Sequence, residues 1–466
     1  MTRTATHRFH PDRKTLAAFL AGTLPPEGDR LVEEHLRGAC LPCLFGARSL
    51  VAETTGKSQK TLADALLGSS AGDPEGKKLL ETYSRQLERK ALLILAEEKA
   101  VPALMSELML RPLAARREAV RTSSRYQLLS LAEALRQESR SEGFRDVARA
   151  VELAELAMEV AECLDPTFYG RRLVADTRAM TWAIVGNTRR ISGDLFGAER
   201  ALQMALDLLE SGTGSAPERA EALSLLASLR IDQSRFPDAI SLLEETVAIH
   251  RQLSQSDLEG RALILLGNAA GYAGAHLQAV ELLRPAIDLL TEAGDLHAAF
   301  LAKHNVAWFL AEAGDCTEAK EYLETIRPEY DRFPNDRMTQ IRRRWLEGRI
   351  HEGLGELGEA AVALREVRSF FAEEERAFED AQVTLDLAAV YLQMGDLAEV
   401  QRLAEEMYPV FRSQDVHRHA VAALILFKQA AATEAATVGL VRDLSRYLTR
   451  ARNNPYLRYE PSEVPS

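Results

Sequence analysis

The feature that most constrains this chain is a repeat of about forty residues, keyed to one small side chain. In GDLFGAERAL, SRFPDAISLL, GAHLQAVELL, GDCTEAKEYL, GELGEAAVAL and GDLAEVQRLA, the residues Ala198, Ala239, Ala279, Ala319, Ala360 and Val400 stand in register, at successive spacings of 41, 40, 40, 41 and 40. Twelve positions before each lies another small residue: Gly186, Ala227, Gly267, Ala307, Gly348 and Ala388. Five before each lies Gly193, Ser234, Gly274, Gly314, Gly355 or Gly395. Self-similarity at a fixed period of this size is the mark of a solenoid, in which each unit buries its apolar face against the next.

Two helices approach closely only where both are small at the crossing, and the pair of residues twelve apart supplies such a contact. The glycine between them ends the first helix, because it accepts positive φ without steric cost. Leu202, Leu243, Leu283, Leu323 and Leu364 follow the small anchor by four, the spacing of a buried helix face. The pattern resembles the tetratricopeptide repeat, with Trp182-Ala-Ile-Val-Gly186 and Leu266-Gly267 standing where that family has its first-helix signature. The best copies cover roughly residues 175–412, and their period exceeds the thirty-four residues usual for the family. The resemblance implies an all-α, right-handed superhelical solenoid of helix-turn-helix repeats.

Composition narrows the function classes. Of the 466 residues, 46% are hydrophobic and 6% aromatic, and the formal net charge is −12. Such a chain forms a core but lacks the clustered cations that grip nucleic acid or an anionic membrane. The longest apolar candidate, Ala420 to Phe427, is too short for a bilayer span. Four cysteines and no apolar leader lead us to expect a cytoplasmic protein.

Residues 1–52 form a second informative region. Short helices are expected around LAAFLAGTL and DRLVEEHLRGAC, and Cys40-Leu-Pro-Cys43 follows. His35 precedes Cys40 by five, and His10 precedes His35 by twenty-five. Zinc wants four nitrogen or thiolate ligands in a tetrahedron, and His10, His35, Cys40 and Cys43 could supply them. His7 is an alternative to His10, and a metal-free relic is an alternative to the whole site. A redox pair would want a βαβ setting that the sequence does not show. The region resembles the zinc-binding anti-sigma-factor domain. That resemblance implies a small helical zinc unit and a sigma factor or other transcription component as partner.

Residues 53–78 read as a linker rich in Gly, Ser, Thr and Lys, and 79–125 as a helical lead-in. Within the lead-in, Arg116, Arg117, Arg121 and Arg125 suggest a solvated helix face or a docking patch for an acidic partner. The solenoid is expected over 126–456. It begins with a weaker pair ended by Asp165-Pro166 and closes with capping helices near HAVAALILFKQAAA and VGLVRDLSRYLTRAR. Arg442, Arg446 and Arg450 are expected on the outer side of the last helix, and 457–466 form a tail. Cys163 and Cys316 read as packing residues.

No enzymatic constellation stands out. Gly68-Ser-Ser-Ala-Gly72 matches a nucleophile elbow only inside the linker, and Gly353-Leu-Gly355-Glu-Leu-Gly358 matches a dinucleotide fingerprint only across a repeat turn. A non-enzymatic adaptor is the expectation: a zinc unit coupled to a solenoid that senses a protein or peptide. The alternative is a generic scaffold with a structural or degenerate zinc unit. Positions near the small first-helix anchors should line the groove: Asn187, Arg190, Asn268, Tyr272, His304, Trp308, Arg342, Trp345 and Arg349. The run Arg342–Arg344 beside Trp345 would favour an acidic peptide or a C-terminal carboxylate.

Overall fold

A computed structural model of the chain describes residues 13–20, 25, 28, 32, 93–94, 96–143, 145–332, 334–413 and 418–460. All regular structure among these residues is helical. They fall into two compact units, 1–229 with 242–259 and 230–241 with 260–466. The residues expected to bind zinc, His10, His35, Cys40 and Cys43, all lie outside the described residues, as do His7, the linker and 79–92.

The first unit begins with α1 (Arg13–Leu20). The Thr15 hydroxyl donates to the carbonyl of Leu253 at 3.3 Å, and Leu16 is buried. A helical stretch at 96–109 precedes α2 (Leu113–Thr122), α3 (Leu129–Glu142), α4 (Val147–Glu162) and the short α5 (Pro166–Tyr169). The first full-register pair is α6 (Arg171–Ile191) and α7 (Leu195–Glu210); α8 (Ala216–Asp232) and α9 (Phe236–Gln252) follow, with their joining segment 230–241 belonging to the second unit. The four arginines of the lead-in are ion-paired, and Arg121 and Arg125 remain largely exposed as well. Arg116 pairs with Glu152, Arg117 with Glu155 and Glu159, Arg121 with Glu159, and Arg125 with Glu107. Three of them thus bind α2 to the acidic face of α4, a ladder of partly exposed pairs worth well under about 1 kcal/mol each.

The second unit holds α10 (Ser256–Tyr272), α11 (His276–Glu292), α12 (Leu296–Ala313), α13 (Cys316–Tyr330), α14 (Arg337–Gly353) and α15 (Leu357–Glu373). It continues with α16 (Ala377–Met394), α17 (Leu397–Ser413), α18 (Arg418–Ala432) and α19 (Val438–Ala451). Even-numbered helices from α10 to α16 are the first members of pairs and odd-numbered ones the second.

The crossing geometry is the one the register demands. Ala198, Ala239, Ala279, Ala319 and Ala360 have no exposed surface, nor do Ala227, Ala307 and Ala388. A Cβ added to Gly186, Gly267 or Gly348 would lie 2.6, 2.9 or 2.9 Å from the Leu202, Leu283 or Leu364 side chain. At Gly186 and Gly267 the carbonyl oxygens of Ala198 and Ala279 are also 3.2 Å from that position. The turn residues behave as expected too: Gly314 and Gly395 take φ of +91° and +75°, and the next residue, Asp315 or Asp396, opens the following helix. Ser234 holds the same left-handed conformation at φ +59° with a side chain attached.

The described cysteines pack as expected. Cys316 is buried with its sulfur against Gly353, and burial raises its thiol pKa, as it does that of the half-buried Cys163.

These contacts predict opposite effects for one substitution at different glycines. Gly267→Ala and Gly348→Ala should each destabilise by about 1–3 kcal/mol, because the leucine opposite must shift. Gly358→Ala, with nothing within 4 Å and no positive φ, should be neutral or stabilise by about 0.5–1 kcal/mol. Chemical denaturation of the three variants checks this; equal effects at all three would mean that the crossings are not tight.

Candidate partner-binding face

The first helices of the second unit carry side chains one repeat apart that meet on a common face. Asn305 donates to Asn268 at 2.9 Å, Trp308 and Trp345 meet edge to face at 5.7 Å, and Gln393 donates to Glu352 at 2.8 Å. The pairs are 37 to 41 residues apart, so the face is a ladder from one repeat to the next.

The nine residues expected to line a groove divide between the units. Asn187 and Arg190 lie in the first, where the Asn187 amide oxygen accepts from Arg190 at 3.1 and 3.2 Å. The other seven lie in the second. Tyr272 is half exposed and sits edge-on to Phe309, whose ring lies over Gly271. His304 meets the Tyr330 hydroxyl at 2.6 Å and tilts against Trp308. Trp345 is half-buried, packs on Phe371 at 5.7 Å and donates its indole N–H to Asp386 at 2.8 Å. Arg342 is exposed.

Arg349 is the electrostatic centre. Its guanidinium lies 2.6 Å from Glu312, 3.3 Å from Glu352 and 3.3 Å from Asp386. Burial pulls its pKa down, but the three carboxylates outweigh burial and hold it above the ordinary arginine value. Asp386 is pushed up to about 6 by burial, against the pull of Arg349 and the Trp345 N–H. Three carboxylates against two guanidinium groups, Arg349 and the Arg442 that reaches Glu352, leave this part of the face acidic. The flanking arginines do not alter that, since Arg343 pairs with Glu347, and Arg344 with Glu366 and Glu347. The sequence suggested an arginine patch; the folded chain has already spent two of its three charges.

Sequence reasoning missed Glu312, Glu352 and Asp386, which line the same face. They stand at different offsets from the first-helix anchors, five after Ala307, four after Gly348 and two before Ala388, and acidic residues on helices read by default as solvated charge. No three His, Cys, Asp or Glu side chains among the described residues are grouped to hold a metal ion. No described helix is long and apolar enough to cross a membrane.

Comparison with known proteins agrees with the helical-repeat fold. Residues 218–292 match the tetratricopeptide-repeat family model. The chain carries tetratricopeptide repeats in an all-α solenoid, as the register implied. Among solved structures it is similar to a Rap protein complexed with competence and sporulation factor, with TM-score 0.52, 12% identity, and coverage of 70% of this chain and 92% of that one. It is also similar to NprR in complex with its cognate peptide NprX (TM-score 0.47, 14% identity, 69% and 95% covered). A third likeness is to a signal-transduction ATPase with a tetratricopeptide-repeat sensor from Pyrococcus horikoshii (TM-score 0.49, 14% identity, 90% and 65% covered). No curated protein sequence matches.

The His304 environment gives a pH prediction. Burial first, and Arg342 second, lower its pKa to about 4, so it stays neutral in the folded chain while the unfolded chain protonates near pH 6.5. Its contribution is therefore complete above pH 6.5 and declines as pH falls toward 4, by at most about 1.4 kcal/mol per pH unit. The stability difference between wild type and His304→Gln should shrink from pH 7.5 to pH 5 in parallel denaturant titrations. A pH-independent difference would mean that His304 is solvated.

Proposed function

We propose that this chain is a non-enzymatic interaction regulator that holds a protein or peptide segment against the first-helix face of its second unit. The observation that carries this is the Trp308–Trp345 pair beside the acidic cluster around Arg349. Two half-buried indoles, preorganised by Phe371 and Asp386, next to a cluster of three carboxylates make the kind of anchor on which interfaces concentrate their energy. The likeness to a Rap protein solved with competence and sporulation factor supports a bound signal as the class of ligand.

The test uses a residue at the edge of this face that the fold does not need. Tyr272→Ala, at a half-exposed ring, should leave thermal unfolding nearly unchanged. Affinity for the partner recovered by co-purification should fall by more than about 2 kcal/mol, roughly thirtyfold. Undiminished affinity would place the binding surface elsewhere.

The N-terminal resemblance extends the reading to a zinc unit built from His10, His35, Cys40 and Cys43, and to a sigma factor or other transcription component as the target. Metal analysis of protein purified without chelator should find about one zinc per chain, and Cys40→Ser with Cys43→Ser should abolish it. Protein free of zinc would leave the N-terminal unit a structural cap, a role that the bond from Thr15 to Leu253 favours.

A further inference from the structure

The end of the chain lies on the face just described. The last helix, α19, packs against α16, and its apolar stripe Val441, Leu444, Tyr447, Leu448 and Ala451 joins the same core cluster as Leu385, Ala388 and Ala389. Its polar side reaches further. Thr449 accepts from Gln382 at 2.5 Å, and the Ser445 hydroxyl donates to Asp386 at 3.5 Å. Arg442 reaches Glu352 at 3.0 Å, Arg452 reaches Glu379 at 3.0 Å, and Arg450 donates to the Ser234 hydroxyl at 2.8 Å. Asn453 donates to Asp232 at 3.0 Å. Of the three arginines expected to face outward, Arg442 and Arg450 thus reach two other repeats, while Arg446 stays exposed and pairs with Asp443 on its own helix.

Three further observations mark this as an occupied site. Every residue from Glu379 to Tyr391 is buried, so α16 has no open face, unlike α12 and α14. At the two register positions where those helices present His304 with Trp308, and Trp345 with Arg349, α16 presents Leu385 and Ala389. Where five repeats use glycine in the turn, the α8–α9 repeat bears Ser234, whose hydroxyl receives Arg450 at the cost of a left-handed backbone. Without α19, Glu352 and Glu379 would each lose a cation.

Resting on the reading that this face takes a partner, we propose that α19 is an intramolecular occupant of the binding site. The external ligand is then a segment of the same chemistry: an amphipathic helix with arginines at i, i+4 that displaces α19. This replaces the acidic peptide that the run Arg342–Arg344 suggested.

The probe is a fluorescein-labelled synthetic peptide of residues 436–454, titrated by anisotropy into three full-length proteins. They are wild type, Arg442→Ala with Arg450→Ala, and Gln382→Cys with Thr449→Cys oxidised to tie α19 down. Relative to wild type, the first variant should bind about tenfold more tightly and the tied variant at least about tenfold more weakly, with dithiothreitol restoring it. Equal binding by all three, or no binding even to the first variant, overturns the proposal. Hydrogen exchange on unmodified protein guards against misfolded variants: amides of 438–451 should exchange faster than those of 379–391. Exchange of both segments at one common rate would make α19 a permanent core helix and overturn the proposal as well. Neither failure touches the broader reading, which falls only if the Tyr272→Ala variant keeps its partner.

Discussion

The structure depends on how closely two helices can pass. Gly186, Gly267 and Gly348 meet the leucine four residues beyond the partner helix's small anchor, and in each case the space for one methyl group is already filled. Interiors are packed as densely as organic crystals, so such a contact sets helix spacing within a few tenths of an ångström. Once the spacing within a pair is fixed, the exposed stripe of each first helix is fixed too, and residues one repeat apart fall into contact. The Trp308–Trp345 and Arg349–Glu312 contacts follow from that repetition rather than from any local motif.

The acidic cluster is a different kind of choice. A buried guanidinium among three carboxylates is not an efficient way to gain stability, since desolvation consumes most of the attraction. An apolar trio would pack as well. What the cluster provides is a geometry that only certain neighbours satisfy. Glu352 accepts from Gln393 and Arg442 on one oxygen while facing Arg349 with the other, and Asp386 divides its two oxygens between Trp345 and Arg349. Charges left in excess on such a face favour a cationic visitor over an anionic one.

How much of this was legible in the sequence follows from range. The small-residue register and the positive-φ turns depend on residues within about sixteen positions of one another, and the sequence displays them directly. Arg116, Arg117 and Arg121 form ion pairs with residues 36 to 42 positions away, and a one-dimensional reading that weighs helix faces singly takes them as solvated. Arg442 and Arg450 pair across 90 and 216 positions, beyond any local signal. Among the groove candidates, the aromatic positions were readable because tryptophan is scarce here. The carboxylates that set the sign of the site were not, because glutamate is common.

The same logic explains why the last helix departs from a simple cap. A cap must bury the apolar flank of the final repeat and turn a polar side to water. The α18 helix performs that task for α17, with Ala420, Ala423, Leu424 and Phe427 in one cluster with Leu403 and Met407. The α19 helix instead lies over a first helix, and its interface is mixed: an apolar stripe flanked by the Gln382–Thr449, Ser445–Asp386 and Arg442–Glu352 contacts. Each of those polar groups can be satisfied by water when the helices part, so separating them exposes fewer unpaired groups than opening an apolar crossing would suggest. An interface of that composition is suited to exchanging one helix for another. The all-alanine and glycine crossings within the pairs are not, because nothing but the original leucine fits them.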